Sequence, residues 1–329
     1  MTSSSNMDWN AFWPQLNFKA AADRLHGVVE RTPVISLPSP REGIEVFGKM
    51  ENRQVGRAFK ARGAWNQLVQ LTDAEKQAGV VTASSGNHGM AVAWAAKELG
   101  VSCTICMPEN SYASKIEACR KAGAEVILRP IRTEAEAVCA ERKSAGALHI
   151  HPYDAERTIE GAGTVGLEIS QQVDAMDLVF LPVGGGGLAA GTSLALRRAW
   201  GNKVSIYGVE PEGAAGMTLA LEAEESVPLE SVTSSIQGLT SPYAGARNWQ
   251  ICQHTLSAMG TLEDKAILDS MAHLQAFGET IEPAGAAAYA AVLQSSALLA
   301  QEKECVGDRP LRVLVVVSGG NGPGAPEGC

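Results

Sequence analysis

Between residues 73 and 152 the chain alternates amphipathic stretches with short, continuously apolar runs. Residues 73–78, 90–99, 114–122 and 133–144 read as helices from their three- and four-residue spacing of apolar positions. Gly79, Gly100, Gly123 and Gly146 follow the ends of these stretches, where a glycine readily closes a helix. The intervening runs at 80–83, 101–107, 125–128 and 148–150 read as strands, and Pro108, Pro130 and Pro152 stop the last three. Strands alternating with helices of this length predict parallel βαβ units. Runs that are apolar throughout predict a sheet covered on both faces.

A second series follows. Residues 163–172, 188–200, 263–277 and 285–299 read as helices, and 177–183, 204–209 and 311–317 as strands. The acidic stretch 222–230 reads as solvated surface, and 233–249, rich in small and turn-forming residues, as an irregular loop near a site. Residues 1–15 read as a ragged tail leading to the first helix, and no internal repeat stands out. The pattern predicts an α/β protein of two lobes, each a mostly parallel sheet flanked by helices. Residues 1–64 with 155–329 make the larger lobe, and 65–154 an inserted smaller one.

Composition narrows the function class. The 329 residues suffice for a large core, and 45% hydrophobic with 19% charged residues is ordinary for a soluble globular chain. A formal net charge of -9 argues against nucleic acid, which wants a basic footprint. No apolar run approaches the ~20 residues that span a bilayer, and no secretory signal is visible. A cytoplasmic, reduced setting is therefore expected. The seven cysteines are scattered and odd in number, which does not suit a disulfide scaffold in so long a chain. Cys103 and Cys106 lie three apart within a predicted strand, so they point to opposite faces and read as core. His149 and His151 could share a face, but no acidic or cysteine partner is near in sequence, and they read as satisfied structural histidines.

Four segments carry candidate chemistry. Lys60 sits in Phe59-Lys60-Ala61-Arg62-Gly63-Ala64. An amine attacks an aldehyde only when neutral, and burial near a positive charge favours that form; Arg57 and Arg62 are the nearby candidates. Ser84-Ser85-Gly86-Asn87-His88-Gly89 forms a strand-to-helix junction whose exposed N–H groups suit an anion such as a carboxylate. Gly184 to Gly187 follow a buried strand and precede a helix, so backbone N–H groups and the helix dipole can wrap a phosphate. Glu210 lies at a distance that keeps a dinucleotide site open as an alternative. Ser318 ends the last apolar strand before Gly319-Gly320-Asn321.

Together these segments closely resemble the fold-type II pyridoxal-phosphate enzymes of the threonine dehydratase and serine racemase type. The resemblance runs from Arg31-Thr32-Pro33 to Ser318-Gly319-Gly320-Asn321. It implies pyridoxal 5′-phosphate in a cleft between two lobes, with Lys60 as the Schiff-base lysine and the tetraglycine on the phosphate. Asn87 would meet the cofactor 3′-oxygen and Ser318 the ring nitrogen, with Phe59, Gly238 and Glu282 close by. Ser84, Ser85, Asn87 and His88 match positions that bind the substrate carboxylate. A serine at position 85 stands on the cofactor face opposite the lysine in the racemase-like branch, where many threonine dehydratases carry alanine. A neutral hydroxyl at 318 does not hold the ring nitrogen protonated, which favours prompt loss of a β-leaving group.

The chain also departs from the family pattern. Gly216 stands where metal-binding racemases have an aspartate, and Glu210 alone makes a poor hard-cation site unless Glu212 assists; no metal is assigned. Tyr153 replaces a frequent asparagine and Met90 a frequent glutamine. The chain ends soon after the resemblance does, so control by an end-product amino acid is not expected.

The reading is a dehydratase that converts a threonine- or serine-type 3-hydroxy amino acid to a 2-oxo acid and ammonia. Lys60 would act as general base. Phenylserine or another bulky 3-hydroxy amino acid is an alternative substrate, and serine racemisation an alternative reaction. A β-replacement synthase and a non-catalytic amino-acid-binding protein are rivals from other classes. The expected partners are a small amino acid and, as in most relatives, a second copy in a homodimer; no membrane or nucleic acid is expected.

Overall fold

The computed structural model describes residues 7–322. Numbered in chain order, β1 is Val34–Leu37, β2 Ile44–Met50, β3 Val80–Ala83, β4 Cys103–Pro108 and β5 Glu125–Arg129. β6 is Leu148–His149, β7 Leu178–Pro182, β8 Ser205–Pro211, β9 Ala258–Leu262 and β10 Leu311–Val317. They form a six-stranded sheet of order β1-β2-β10-β7-β8-β9 and a four-stranded sheet of order β5-β4-β3-β6. All pairings are parallel except β1 with β2. The α/β class with mostly parallel sheets is therefore as the pattern predicts.

The helices that matter here are α1 (Phe18–Leu25), α2 (Lys60–Leu68), α3 (Asp73–Ala78), α4 (Asn87–Leu99), α5 (Ala113–Lys121) and α6 (Arg132–Ser144). They continue as α7 (Glu156–Gln172), α8 (Gly187–Trp200), α9 (Gly216–Ala223), α10 (Ala246–Thr255), α11 (Asp264–Ala276), α12 (Pro283–Gln294) and α13 (Ser296–Val306). Thr72 and Glu75 form a capping box on α3, each satisfying a donor the first turn would leave orphaned. Gly100 ends α4 in the left-handed region, φ 65°, with its N–H on the Ala96 and Lys97 carbonyls.

Burial follows the strand pattern. In β10, Leu311 and Val313 to Val317 are all fully buried, each contributing about 1.5–3 kcal/mol relative to exposure. Leu314 and Val316 join one core cluster, and Val313, Val315 and Val317 the one on the opposite face. Cys103 and Cys106 likewise enter separate clusters on the two faces of the smaller sheet.

Three expectations need correction. Residues 285–299 are not one helix: the chain breaks at Ser295 (φ -88°, ψ 43°), and α12 and α13 meet with a bend of 67°. The adjoining Ser295 and Ser296 offer the backbone competing local bonds, while α12 is buried and α13 largely exposed. The stretch 233–249 is not all loop, because α10 begins at Ala246, where the Asp154 carboxylate accepts from the Ala246 and Arg247 N–H groups at 3.1 and 3.0 Å. Nor are residues 7–15 a ragged tail. Trp9 is in the core, and the Arg198 guanidinium donates to the carbonyls of Trp9, Phe12, Trp13 and Leu16. The remainder of that stretch, 1–6, lies outside the described residues. Among the described residues no single helix is long and apolar enough to cross a membrane.

Candidate active site

Three strands end at one cleft. β3 runs into Ser84, β7 into the tetraglycine and β10 into Ser318, and all three turns line the same cavity with Phe59, Lys60, Tyr153, Gly238 and Glu282. Carboxyl ends of parallel strands are where open α/β sheets place ligands. Here one such end comes from the smaller sheet and two from the larger.

Lys60 is the first residue of α2. Its Nζ donates to the Pro152 carbonyl at 2.7 Å and lies 5.0 Å from the Phe59 ring centroid. Burial lowers its pKa to about 8, because an enclosed ammonium loses its water. The expected help from Arg62 is absent. Arg62 is fully buried elsewhere, paired with Glu51 at 2.8 Å and Glu168 at 2.7 Å.

The turn after β3 is held by Ser84, whose Oγ accepts from the Gly86 and Gly89 N–H groups at 3.3 and 3.1 Å. Ser85 is exposed in the cleft. Asn87 opens α4; its Nδ2 donates to Glu282, and its Oδ1 accepts from Asn321 Nδ2 at 3.1 Å. His88 is buried, with Nε2 3.0 Å from the Ile150 carbonyl, so Nε2 carries the proton and Nδ1 is left without a partner. Burial and the Lys60 charge lower the His88 pKa well below the usual range, which keeps the ring neutral.

The tetraglycine requires glycine for closeness of approach. A Cβ on Gly185 would sit 2.3 Å from the Tyr153 ring, and one on Gly187 2.8 Å from the Tyr153 carbonyl. Gly186, at φ 91°, precedes the first turn of α8, whose leading N–H groups have no partner inside the helix. The Gly185 carbonyl accepts from Asn248 Nδ2 at 2.7 Å and from the Gly245 N–H at 3.0 Å. The turn is thereby fixed with its N–H side free. Across the cleft the Ser318 hydroxyl donates to the Ala284 carbonyl at 3.3 Å. The Tyr153 and Tyr243 rings lie 5.9 Å apart, edge to face.

The structure settles several sequence alternatives. Glu210 is not available to a ribose: its buried carboxylate accepts from the Met217 N–H at 2.7 Å and the Thr218 N–H at 2.9 Å, capping α9. Gly216 opens that same helix. Burial still raises the Glu210 pKa to about 7 against those bonds. His151 Nδ1 accepts from the Asp154 N–H at 2.8 Å. Met90 packs against the core of the smaller sheet and does not line the cleft. Sequence reasoning missed Arg132, Ser241 and the Pro152 carbonyl, which reach the cleft only through the fold.

This donor set fits a phosphate-bearing aldehyde. A lysine whose amine turns neutral above a pH of about 8, a side-chain-free turn on a helix N-terminus and an uncharged hydroxyl line the same cleft. The comparisons agree. The model of the pyridoxal-phosphate dependent enzyme family matches residues 25–319. An L-threonine ammonia-lyase of Thermotoga maritima is 34% identical over 310 residues, covering 93% of this chain and 75% of that protein. A phenylserine dehydratase of Ralstonia pickettii is 34% identical over 274 residues, covering 82% and 84%. The solved structure of maize serine racemase superposes with a TM-score of 0.85 at 34% identity, covering 92% of each chain. The chain therefore belongs to the fold-type II pyridoxal-phosphate enzymes that include the threonine and serine dehydratases and the serine racemases.

Proposed function

We propose that the protein removes the β-hydroxyl of a 3-hydroxy amino acid, yielding a 2-oxo acid and ammonia. The observation that carries this reading is the Lys60 amine, pKa about 8, in one cleft with the Ser84–Asn87 turn and the tetraglycine. When bound, pyridoxal phosphate supplies the electron sink for charge left at Cα. Gly184 to Gly187 and the start of α8 would hold its phosphate, and Lys60 its aldehyde carbon. The Ser84–Asn87 turn binds the substrate carboxylate and fixes Cα toward Lys60. Lys60, once released, takes the Cα proton as general base. Ser318 presents a neutral hydroxyl where a carboxylate would impose a proton, which suits fast departure of the β-hydroxyl. The lost water is regained when the product enamine hydrolyses, so the sum is amino acid to 2-oxo acid plus ammonia.

Tyr153 gives the cleft an aromatic lining residue, which suits an aromatic β-substituent alongside threonine and serine. Racemisation is a second reading, supported by Ser85 in the cleft and by the likeness to maize serine racemase. Release of 2-oxo acid is to be measured across threonine, serine and phenylserine in all configurations, with chiral chromatography of the remaining amino acid. Release from one or more of them is the expected outcome. Racemisation without release would transfer the assignment to the second reading, and neither activity would refute both.

A further inference from the structure

Beneath the Ser84–Asn87 turn lies a cation that the proposed reaction does not use. Lys115, in α5, is 3% exposed. A Cβ on Gly86 would stand 3.8 Å from its Nζ, so the ammonium sits directly against the turn. Its carboxylate neighbour is Glu282, at 3.7 Å, with both side chains 4% exposed. That distance is too long for a good hydrogen bond. The Tyr112 ring centroid is 5.1 Å away.

Glu282 stands at the residue before α12, its side chain making no bond to that helix, and it accepts from Asn87 of the same turn. A buried carboxylate is thus hydrogen-bonded to a loop read here as a carboxylate receptor. Two like charges brought together with little water between them repel strongly. The loop can accept an anion only if that charge is balanced.

We propose that Lys115 is a positioning residue for the substrate carboxylate, acting through Glu282: it cancels the Glu282 charge and so lets the Ser84–Asn87 turn receive an anion. The proposal rests on reading that turn as the carboxylate site. It predicts a defect specific to the carboxylate, which a simple clasp between the sheets would not give.

The test uses the holoenzyme and the absorbance change of its bound cofactor on titration with L-serine or with serinol, in which a hydroxymethyl group replaces the carboxylate. Lys115→Met should weaken L-serine by at least about tenfold and leave serinol within about twofold. Adding Glu282→Gln to Lys115→Met should restore L-serine affinity, because the uncompensated charge is gone while an acceptor for Asn87 remains. Should Lys115→Met not fold, Lys115→Gln takes its place, with the same loss for L-serine and the same rescue expected. Equal weakening of both ligands by Lys115→Met, or no rescue in the double variant, would each overturn the proposal. An unmodified protein that does not prefer L-serine to serinol would overturn the loop reading with it. Preference retained in the unmodified protein but unchanged by Lys115→Met would overturn this proposal alone.

Discussion

An ordinary lysine stays protonated, and a poor nucleophile, until well above neutral pH, and its surroundings bring Lys60 closer to neutrality. Enclosure disfavours the ammonium, so the amine is charged below a pH of about 8 and neutral above it. In the cofactor-free protein the rate of Lys60 modification by an acylating reagent should rise with a midpoint near pH 8 rather than near 10.5; peptide mass mapping reads this directly. The same shift means the unfolded chain holds more protons between those two values, so this group adds stability as pH rises across them. Ser85 makes a second residue-scale prediction. If it carries protons to Cα, Ser85→Ala should lower racemisation by about 10²-fold or more while elimination persists, as chiral and 2-oxo acid assays would show. Much of this was legible in sequence, because a lysine between Phe59 and Arg62 and a six-residue turn keep their spacing whatever the fold does. The role of Arg62 was not. Proximity in sequence suggested help for Lys60, but in a helix the residue two further on faces away, and Arg62 turns to Glu51 and Glu168 instead.

Elements were readable where apolar runs are unbroken. β3, β4, β7, β8 and β10 are of that kind, since both their faces are covered; β5 and β6, half-buried at the edges of the smaller sheet, were marked by the prolines that follow them. β2 was hidden by Lys49, a buried lysine satisfied by the Thr32 carbonyl, Glu168 and Gln172. β9, at the edge of its sheet, is mostly exposed and shows no apolar run. The tetraglycine turn was readable as a turn, but its neighbour was not, because Tyr153 arrives from the smaller sheet, just past the carboxyl end of β6. That contact yields a prediction at this scale. Gly185→Ala would drive a methyl group to 2.3 Å from the Tyr153 ring, displacing either the ring or the turn. Cofactor affinity should fall at least about tenfold, and adding Tyr153→Ala should recover part of it, as fluorescence titration of the cofactor-free variants would register.

Across the whole molecule, the larger body is tied to α2 by a buried cluster of two cations and two anions. Lys49 and Arg62 meet Glu51 and Glu168, with Lys49 to Glu168 at 2.6 Å. Arg62→Met removes one cation from a balanced set and strands a carboxylate, so stability should fall by about 3–5 kcal/mol, measured by urea unfolding of the cofactor-free protein. Replacing all four with apolar residues of similar volume should cost far less. The chain passes between its two sheets twice, once through residues 51–79 and once through 150–177. The first passage carries Lys60 and the second the Pro152 carbonyl that holds it, 2.7 Å away. An opening swing of the smaller sheet would pivot along that line. The mouth would gape and the carboxylate turn would lift away, yet the reactive amine, sitting on the axle, would scarcely travel. Product could leave and fresh amino acid enter without disturbing whatever that amine is tethered to.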